Sequence, residues 1–469
     1  MKNNQYFKLS RWCKIYTRDG TIALYNSLTL SLVFLPSIFF PQLMRLKNST
    51  ISQSEIIAIL GKENFEKLFA ENLIVADNFD NLNFLEKIRS KFENEIGLSI
   101  MYLLVTDNCN LRCQYCFEDA ADTVGRHTPI LMPENLAIKS VDYFVNLVGR
   151  YGKKDGEKII HLYGGEPLLN PQAVKAVILH VDKLKKTGFI SDDYKIAVVT
   201  NGTLLTEELA ELFANHGVTV GLSLDGPEKI TNKYRLAKKE KTDVFSEVVK
   251  AYRLLIKHGV PMGFSVTLTP DSLENFDRII SFFVDDLGVS DGLCFNILHY
   301  NPKLNVGDDY FQKAADFLIK SFIYFRDKGV YEERMMRKAT AFAYKRVIFT
   351  DCGVNGGQIV VAPDGRVGVC HDFVKPRSYF GDSIAVNYNF DPFAQGLFRE
   401  WRKRSPLFME KCYDCEAIGI CGGGCPASVE IKTGNRWNVD SRICPHSKKT
   451  LEWLIWDVFA KTMEQPSFR

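Results

Sequence analysis

The chain has 469 residues, of which 46% are apolar and 25% charged, as in a globular protein with a sizeable core. This length favours two or three domains. The 59 basic and 56 acidic residues give a formal charge of +3, and this near-balance disfavours nucleic acid or an anionic membrane as a partner. Because the N-terminus lacks the apolar stretch and cleavage site of an export signal, we expect a cytoplasmic protein.

Twelve cysteines are the main anomaly in the composition. In a reducing cytoplasm, clustered cysteines bind metal more often than they form disulfides. The uncharged residues 21–44 are long enough to span a bilayer, but polar residues and prolines interrupt them and residues 28–32 alternate with period two. We therefore expect a buried strand followed by a short helix, and no membrane contact.

The first region, residues 1–94, has predicted strands followed by helices. A turn at Arg18-Asp19-Gly20 indicates a hairpin, because Asp and Gly tolerate positive φ. Ser52 and Glu55 have the spacing of a capping box at a helix start. The predicted elements are strands at residues 14–17 and 21–25, a helix from residue 52, a helix around residues 63–71, and a strand at residues 73–75.

The second region, residues 95–307, alternates strands with helices. The predicted strands are residues 99–106, 158–163, 195–200, 218–224, 262–268 and 292–297. Such alternation predicts an α/β fold with a parallel sheet, and six units predict an open partial (β/α)6 barrel. Polar and glycine-rich motifs follow the strands, where the chemistry of such folds collects. A helical bridge, residues 308–350, leads to a cysteine-rich region, residues 351–469.

Cys109, Cys113 and Cys116 lie on one loop directly after the first of these strands. Three thiolates can bind three irons of a [4Fe–4S] cluster and leave the fourth iron open. An open position indicates a reactive cluster, as it does in catalytic zinc sites. The spacing alone also allows a zinc site with a remote fourth ligand.

Three further motifs follow later strands. Residues 163–168 read Tyr-Gly-Gly-Glu-Pro-Leu, residues 199–205 read Val-Thr-Asn-Gly-Thr-Leu-Leu, and residues 223–227 read Ser-Leu-Asp-Gly-Pro. With the cysteine loop, and in this order, they make most of the chain resemble the radical S-adenosylmethionine (SAM) superfamily. The resemblance implies that the open iron chelates the amino and carboxylate groups of SAM, and that a 5′-deoxyadenosyl radical then abstracts a substrate hydrogen.

The resemblance also implies a set of SAM contacts. Glu166 would face the methionine ammonium, Ser223 the ribose, and Arg235 the methionine carboxylate, while Tyr115 would lie beside the adenine. The full set of implied contacts is Tyr115, Gly164, Gly165, Glu166, Thr200, Asn201, Ser223, Asp225 and Arg235. Flavodoxin or ferredoxin is the electron donor that such an enzyme would use.

Seven cysteines lie in the C-terminal region, at spacings that resemble the SPASM extension of peptide-modifying radical SAM enzymes. This extension carries two auxiliary [4Fe–4S] clusters, so that three clusters are expected in all. The resemblance assigns one cluster to Cys412, Cys415, Cys421 and Cys444, and the other, the first auxiliary cluster, to Cys352, Cys370 and Cys425. A zinc-ribbon-like site that uses Cys412 and Cys415 is the alternative.

The first auxiliary cluster lacks a fourth cysteine in this assignment. His371, Asp372, Cys13 or Cys294 could complete it, although we expect both cysteines to be buried small apolar residues. Our hypothesis is an iron that stays open to bind a substrate group such as a peptide thiolate. His371 and Asp372 are also candidate catalytic bases, because in sulfatase-maturating enzymes an aspartate directly follows the cysteine equivalent to Cys370.

SPASM-bearing enzymes act mostly on proteins or ribosomally made peptides. The first region resembles the winged-helix domain that captures a leader peptide as an added strand, although a structural appendage or a DNA-binding helix-turn-helix uses similar elements. The sequence thus predicts a peptide maturase that installs a thioether, carbon–carbon or ether link in a precursor peptide. The alternatives are a sulfatase maturase that makes formylglycine, and a non-catalytic iron–sulfur carrier or zinc scaffold.

Overall fold

The computed structural model describes residues 5–121, 128–239, 242–290 and 292–464. The first region contains two three-stranded sheets, with strand orders β5–β1–β6 and β2–β3–β4. Its strands are β1 (Tyr6–Leu9), β2 (Cys13–Arg18), β3 (Thr21–Asn26), β4 (Leu32–Pro36), β5 (Ile51–Ser52) and β6 (Ile74–Ala76). Its helices are α1 (Phe40–Asn48), α2 (Gln53–Leu60), α3 (Lys62–Ala70) and α4 (Asn81–Asn94).

The local predictions for this region are confirmed in their main features. Asp19 and Gly20 have φ angles of 45° and 76° in the turn between β2 and β3. The Ser52 side chain accepts a hydrogen bond from the Glu55 amide and caps α2. The Glu55 carboxylate, however, pairs with Arg45 on α1 instead of turning back to complete the capping box.

The uncharged segment 21–44 forms β3, β4 and the start of α1, and is buried on two sides. Ile22 and Leu24 of β3 face the N-terminal helices, whereas Ala23 and Tyr25 pack against the C-terminal helix of the chain. Both faces of the strand therefore need apolar residues, which explains the membrane-like composition. No described helix is long and apolar enough to cross a bilayer.

The six predicted strands of the second region are all present and parallel. They are β7 (Ile100–Thr106), β8 (Lys158–Gly164), β9 (Tyr194–Thr200), β10 (Thr219–Ser223), β11 (Met262–Leu268) and β12 (Leu293–Ile297). The helices between them are α5 (Phe117–Ala121), α6 (Glu134–Tyr151), α7 (Pro171–Lys186), α8 (Glu207–Asn215), α9 (Glu228–Tyr234), α10 (Val244–Lys257), α11 (Pro270–Glu274) and α12 (Phe276–Ser281).

The sheet continues beyond these six strands into the cysteine-rich region. Its order is β12–β11–β10–β9–β8–β7–β13–β14–β15, with β13 parallel to β7. The added strands are β13 (Gln358–Val361), β14 (Arg366–Gly368) and β15 (Phe380–Ser383). Because β14 runs antiparallel to β13, Cys370, just after β14, lies towards the amino end of β7, at the opposite edge of the sheet from the cysteine loop that follows β7.

Helices complete the C-terminal half. They are α13 (Asp308–Lys328), α14 (Glu333–Ala343), α15 (Gly396–Arg402), α16 (Ile418–Cys421), α17 (Pro426–Thr433) and α18 (Ile443–Glu464). The longest, α18, packs along α13 and also covers the β2–β3–β4 sheet. The last helix therefore joins the first and third regions of the chain.

Candidate active site

The loop after β7 brings the thiols of Cys109, Cys113 and Cys116 to the wall of one cavity of about 610 Å³. Backbone hydrogen bonds hold the loop: the Arg112 amide donates to Leu236 and the Gln114 amide to Tyr234. Burial raises the pKa of Cys109 to about 12 and that of Cys113 to about 11. Without a bound cation these thiols are protonated, and a metal would displace the protons.

Two glycines allow the β8 motif to approach this loop. A Cβ atom on Gly164 would lie 2.0 Å from the Thr106 carbonyl oxygen, and one on Gly165 would lie 2.2 Å from that of Asn108. Gly164 also has a φ of 143°, which favours glycine. The Gly-Gly pair is therefore a condition for bringing this strand end against the backbone that leads into Cys109.

Glu166 is buried, and its carboxylate connects the motifs after β8 and β9. It accepts hydrogen bonds from the Thr200 hydroxyl at 2.6 Å and from the Asn201 and Leu168 amides at 2.8 and 3.1 Å. Burial raises the pKa of Glu166 to about 7, against the opposing effect of these hydrogen bonds. Asn201 in turn donates to the Asn110 side chain of the cysteine loop at 2.9 Å.

The motif after β10 forms a second buried network. Asp225 accepts two hydrogen bonds of 2.9 Å from Arg235, one from the Thr267 amide at 3.0 Å, and one from the Tyr115 hydroxyl. The Arg235 guanidinium also lies 5.6 Å from the centre of the Tyr115 ring. The sequence predicted Tyr115 and Arg235 as separate SAM contacts, but it did not reveal that Asp225 joins them.

All nine predicted SAM contacts lie at the carboxyl ends of β7–β10 or on the loops that follow. Eight of them line the cavity together with the three thiols: Tyr115, Gly164, Gly165, Glu166, Thr200, Asn201, Ser223 and Arg235. Asp225 lies behind the wall, where it holds Arg235.

The C-terminal cysteines include two sets of neighbouring thiols. Burial and the neighbouring thiols of Cys421, Cys415 and Cys412 raise the pKa of Cys444 to about 12. The pKa of Cys370 is raised by burial, by Asp372, and by the thiols of Cys425 and Cys352. All twelve cysteines lie in the described part of the chain as free thiols. Unpaired thiols in sets of three, four and three, most of them partly buried, are a donor set that fits [4Fe–4S] clusters.

The group of three opens into the same cavity as the cysteine loop. Cys352, Cys370 and Cys425 all line it, as do His371 and Asp372. Cys13 is excluded as a fourth member because it is buried in the N-terminal core, as expected for a small apolar residue. Cys294 is only partly buried, since it lines the cavity on β12.

Asp372 lies beneath two imidazoles. Its carboxylate oxygens are 3.4 Å from His371 Nε2 and 3.5 Å from His299 Nδ1, and only 4% of the side chain is exposed. Burial alone would raise the pKa of Asp372, but the two imidazoles hold it below its usual value. The imidazoles of His371 and His299, whose side chains are 21% and 34% exposed, therefore face the cavity more openly than Asp372 does.

Two cavity residues were missed by the sequence analysis. His299 follows β12, and its position at the carboxyl end of the last barrel strand was a usable signal. Glu118 lies two residues after Cys116, and burial raises its pKa to about 8. No motif marks Glu118, because its burial depends on α5 packing near Lys375 and Asp372 of the distant C-terminal region.

Comparison with known proteins identifies the barrel. Residues 103–283 match the model of the radical SAM superfamily. This range contains the three thiols of the loop and every predicted SAM contact. Residues 103–283 form a radical SAM domain. This match confirms the predicted family, and the enzymes among the relatives of the chain support catalysis over a non-catalytic carrier or scaffold.

Two curated relatives and one solved structure show how far the similarity of this radical SAM enzyme extends. The radical SAM cyclopropyl synthase TigE of Paramaledivibacter caminithermalis is 25% identical over 97% of both chains. The cysteine-type anaerobic sulfatase-maturating enzyme of Clostridium perfringens is 25% identical over 70% of this chain and 88% of its own. Streptococcus suis SuiB, bound to its precursor peptide SuiA, covers 93% of this chain and 99% of its own, at 15% identity and a TM-score of 0.51.

Proposed function

We propose that this radical SAM enzyme matures a ribosomally made precursor peptide by installing an oxidative cross-link: a thioether, carbon–carbon or ether bond. One observation carries the proposal. The similarity to TigE spans 97% of this chain, whereas the similarity to the sulfatase-maturating enzyme spans 70%. A cyclopropyl ring is closed by a carbon–carbon bond, so this relative favours bond formation within a peptide.

The first 94 residues support a role in holding the peptide. They form two small three-stranded sheets with four helices, and these elements support the proposed winged-helix-like leader-binding domain. In the described chain, β2 and β4 are the edge strands of one sheet and β5 and β6 those of the other, so each offers an edge to which an extended leader can add. SuiB, which was solved with its precursor peptide, aligns over 93% of this chain.

The cavity supports the chemistry. It runs from the SAM motifs to the thiols of Cys352, Cys370 and Cys425 and to two histidines. When bound, SAM and its cluster supply a carbon radical that removes one hydrogen atom, and auxiliary clusters in a SPASM domain supply an electron acceptor. Bond formation then releases the second hydrogen as a proton and an electron, so each link costs the peptide two hydrogens.

Within this scheme the residues of the chain have separate tasks. The Asp225–Arg235 pair and Glu166 would orient SAM, and the buried wall would exclude water from the radical. His371, with Asp372 behind it, is the candidate base for the released proton. Cys412, Cys415, Cys421 and Cys444 would hold the second auxiliary cluster, outside this cavity.

The test is anaerobic co-expression with the short peptides encoded beside the gene, followed by mass spectrometry. We expect one peptide to lose two hydrogens per link, and the loss to disappear in the Cys113→Ala variant. The Cys13→Ala variant, which changes a thiol outside the cavity, is the matched control and should retain the product. A sulfatase peptide converted to formylglycine, with no cross-linked product, would replace this proposal with the sulfatase-maturase alternative.

A further inference from the structure

His299 lies where the barrel meets the C-terminal cysteines. It follows β12 and lines the cavity, and its ring packs against Phe117 with ring centres 5.6 Å apart. Ligand atoms of His299, Asp372 and Cys425 lie within 4.8 Å of one another. His299 Nδ1 is buried and has no hydrogen-bond partner within normal geometry. A ring nitrogen of His299 thus lies near both a cysteine thiol of the first auxiliary group and a carboxylate.

The backbone on both sides of His299 is fixed to the segment that carries Cys425. The Leu298 carbonyl accepts a hydrogen bond from Arg442 at 2.8 Å, and the Tyr300 amide donates to the Ser428 hydroxyl at 2.9 Å. Ser428 lies in the first turn of α17, where its amide donates to Cys425 Sγ at 3.4 Å. His299 therefore cannot shift along the strand direction without breaking contacts to this segment.

A buried ion pair between Asp440 and Arg442 holds the backbone next to both His299 and Cys425. The Asp440 carboxylate accepts hydrogen bonds from Arg442 and, at 2.9 Å, from the Cys425 amide. Arg442 and Asp440 are 3% and 4% exposed. The same pair thus positions the Cys425 backbone directly and the Leu298 carbonyl through Arg442. Such a fixed arrangement is typical of the groups that orient and tune the ligands of a metal site.

In a cubic cluster, ligand atoms bound to two different irons are further apart than the ligand atoms of His299, Asp372 and Cys425 are here. The spacing of at most 4.8 Å between the His299 nitrogen and Cys425 Sγ suits an N–H···S hydrogen bond better than two ligands on different irons. Hydrogen bonds to cluster sulfurs are one of the factors that set the reduction potential, since they stabilise the more negative, reduced cluster.

We propose that His299 donates a hydrogen bond to the Cys425 thiolate and thereby raises the reduction potential of the first auxiliary cluster. The inference rests on the proposed function, in which this cluster accepts the electron left after bond formation. His299 is then a positioning residue, because its proposed contact is with a cluster ligand and not with SAM or with the link formed in the peptide. The Asp372 carboxylate lies 3.5 Å from Nδ1 of the same ring.

The experiment uses the full chain with Cys109, Cys113 and Cys116 replaced by alanine, so that only auxiliary clusters remain. Redox titrations followed by electron paramagnetic resonance compare the cluster potentials of the protein that keeps His299 with those of the His299→Leu and His299→Gln variants. We expect His299→Leu to lower the potential of one cluster and leave the other unchanged, at equal iron content. His299→Gln keeps an N–H donor and should restore part of the shift, which a merely structural role would not do.

Several results would overturn the inference. Equal potentials in the three proteins would do so, as would equal potentials in the Gln and Leu variants. If His299→Leu fails to load iron, the smaller His299→Ala variant takes its place, and a potential equal to that of the unchanged chain would overturn the inference. Pulsed resonance with 15N-labelled histidine that shows nitrogen bonded to iron would make His299 a ligand instead. No auxiliary cluster in the unchanged-His299 protein would contradict the proposed function as well, and so separates the two failures.

Discussion

Asp225 and Arg235 form a buried, two-pronged ion pair, with both hydrogen bonds at 2.9 Å. Their side chains are 0% and 8% exposed. Asp225 lies two residues after the end of β10, and Arg235 directly follows α9. The pair therefore fixes the turn at the end of the cavity that the predicted SAM contacts line. Asp225 also accepts a hydrogen bond from the Tyr115 hydroxyl.

Asp225→Asn should lower the free energy of unfolding more than the same substitution in a solvent-exposed ion pair does. Removing one partner leaves the Arg235 charge buried and uncompensated, which costs about 3–5 kcal/mol in such pairs. Urea unfolding of the loaded protein under anaerobic conditions measures the loss. Asp271→Asn, which breaks the more exposed pair with Lys233, is the matched control and should cost much less. Equal losses in the two variants would contradict the prediction.

Gly165→Ala should prevent normal loading of the SAM cluster. The added Cβ would meet the Asn108 carbonyl oxygen at 2.2 Å, so the strand end or the cysteine loop must move. Iron content and the yield of 5′-deoxyadenosine should both fall, while the auxiliary clusters remain. Gly149→Ala, where the new methyl group meets nothing within 4 Å, is the control and should behave as the unchanged chain. Full loading of Gly165→Ala would show that the close approach is not required.

SAM affinity should weaken as the pH falls through about 7. Burial raises the pKa of Glu166 to about 7, so its carboxylate is lost in this range, and with it a charged acceptor for the methionine amino group. The sign follows from the ligand, because an amino group whose lone pair is on iron only donates hydrogen bonds and prefers the ionised carboxylate that exists above the pKa. Equilibrium binding between pH 6 and 8 measures the effect. Glu166→Gln should bind SAM weakly at every pH, and a slope that persists in this variant would assign the titration to another group.

Single cysteine replacements should show which thiols hold which cluster. Cys444→Ala should lose up to four of about twelve irons and retain SAM cleavage, because its neighbours are the thiols of Cys412, Cys415 and Cys421. Cys370→Ala should affect the other auxiliary cluster. Iron analysis and Mössbauer spectra distinguish these outcomes, with Cys13→Ala as the control that keeps all the iron. Zinc bound in stoichiometric amounts at Cys412 and Cys415 would contradict the cluster assignment.

Most of the barrel could be predicted from the sequence because its signals are local. Apolar β-rich segments gave the six strands to within about two residues, and the motif residues follow them directly. The cavity wall beyond the SAM motifs could not be predicted in this way. Strand β13 joins the barrel edge beside β7 from a distance of more than 250 residues, and this pairing brings Cys370 to the cavity that the cysteine loop also lines.

The missed residues share this physical cause. His299 gains its surroundings from Asp372 and Cys425, and Glu118 is buried by contacts to the same distant region. The N-terminal segment shows the converse case. The composition of β3 indicated burial, but the helix that covers its second face, α18, begins more than 400 residues later. Local patterns therefore predict elements, whereas their partners depend on long-range packing.

The most direct test of the account follows a hydrogen from the peptide. The co-expressed precursor peptide is produced with deuterium at its carbon-bound positions and incubated anaerobically with the reduced enzyme and SAM in ordinary water. The account predicts that 5′-deoxyadenosine gains one deuterium for each link formed while the peptide loses two hydrogens in total. Modified peptide that accompanies 5′-deoxyadenosine without deuterium would contradict it.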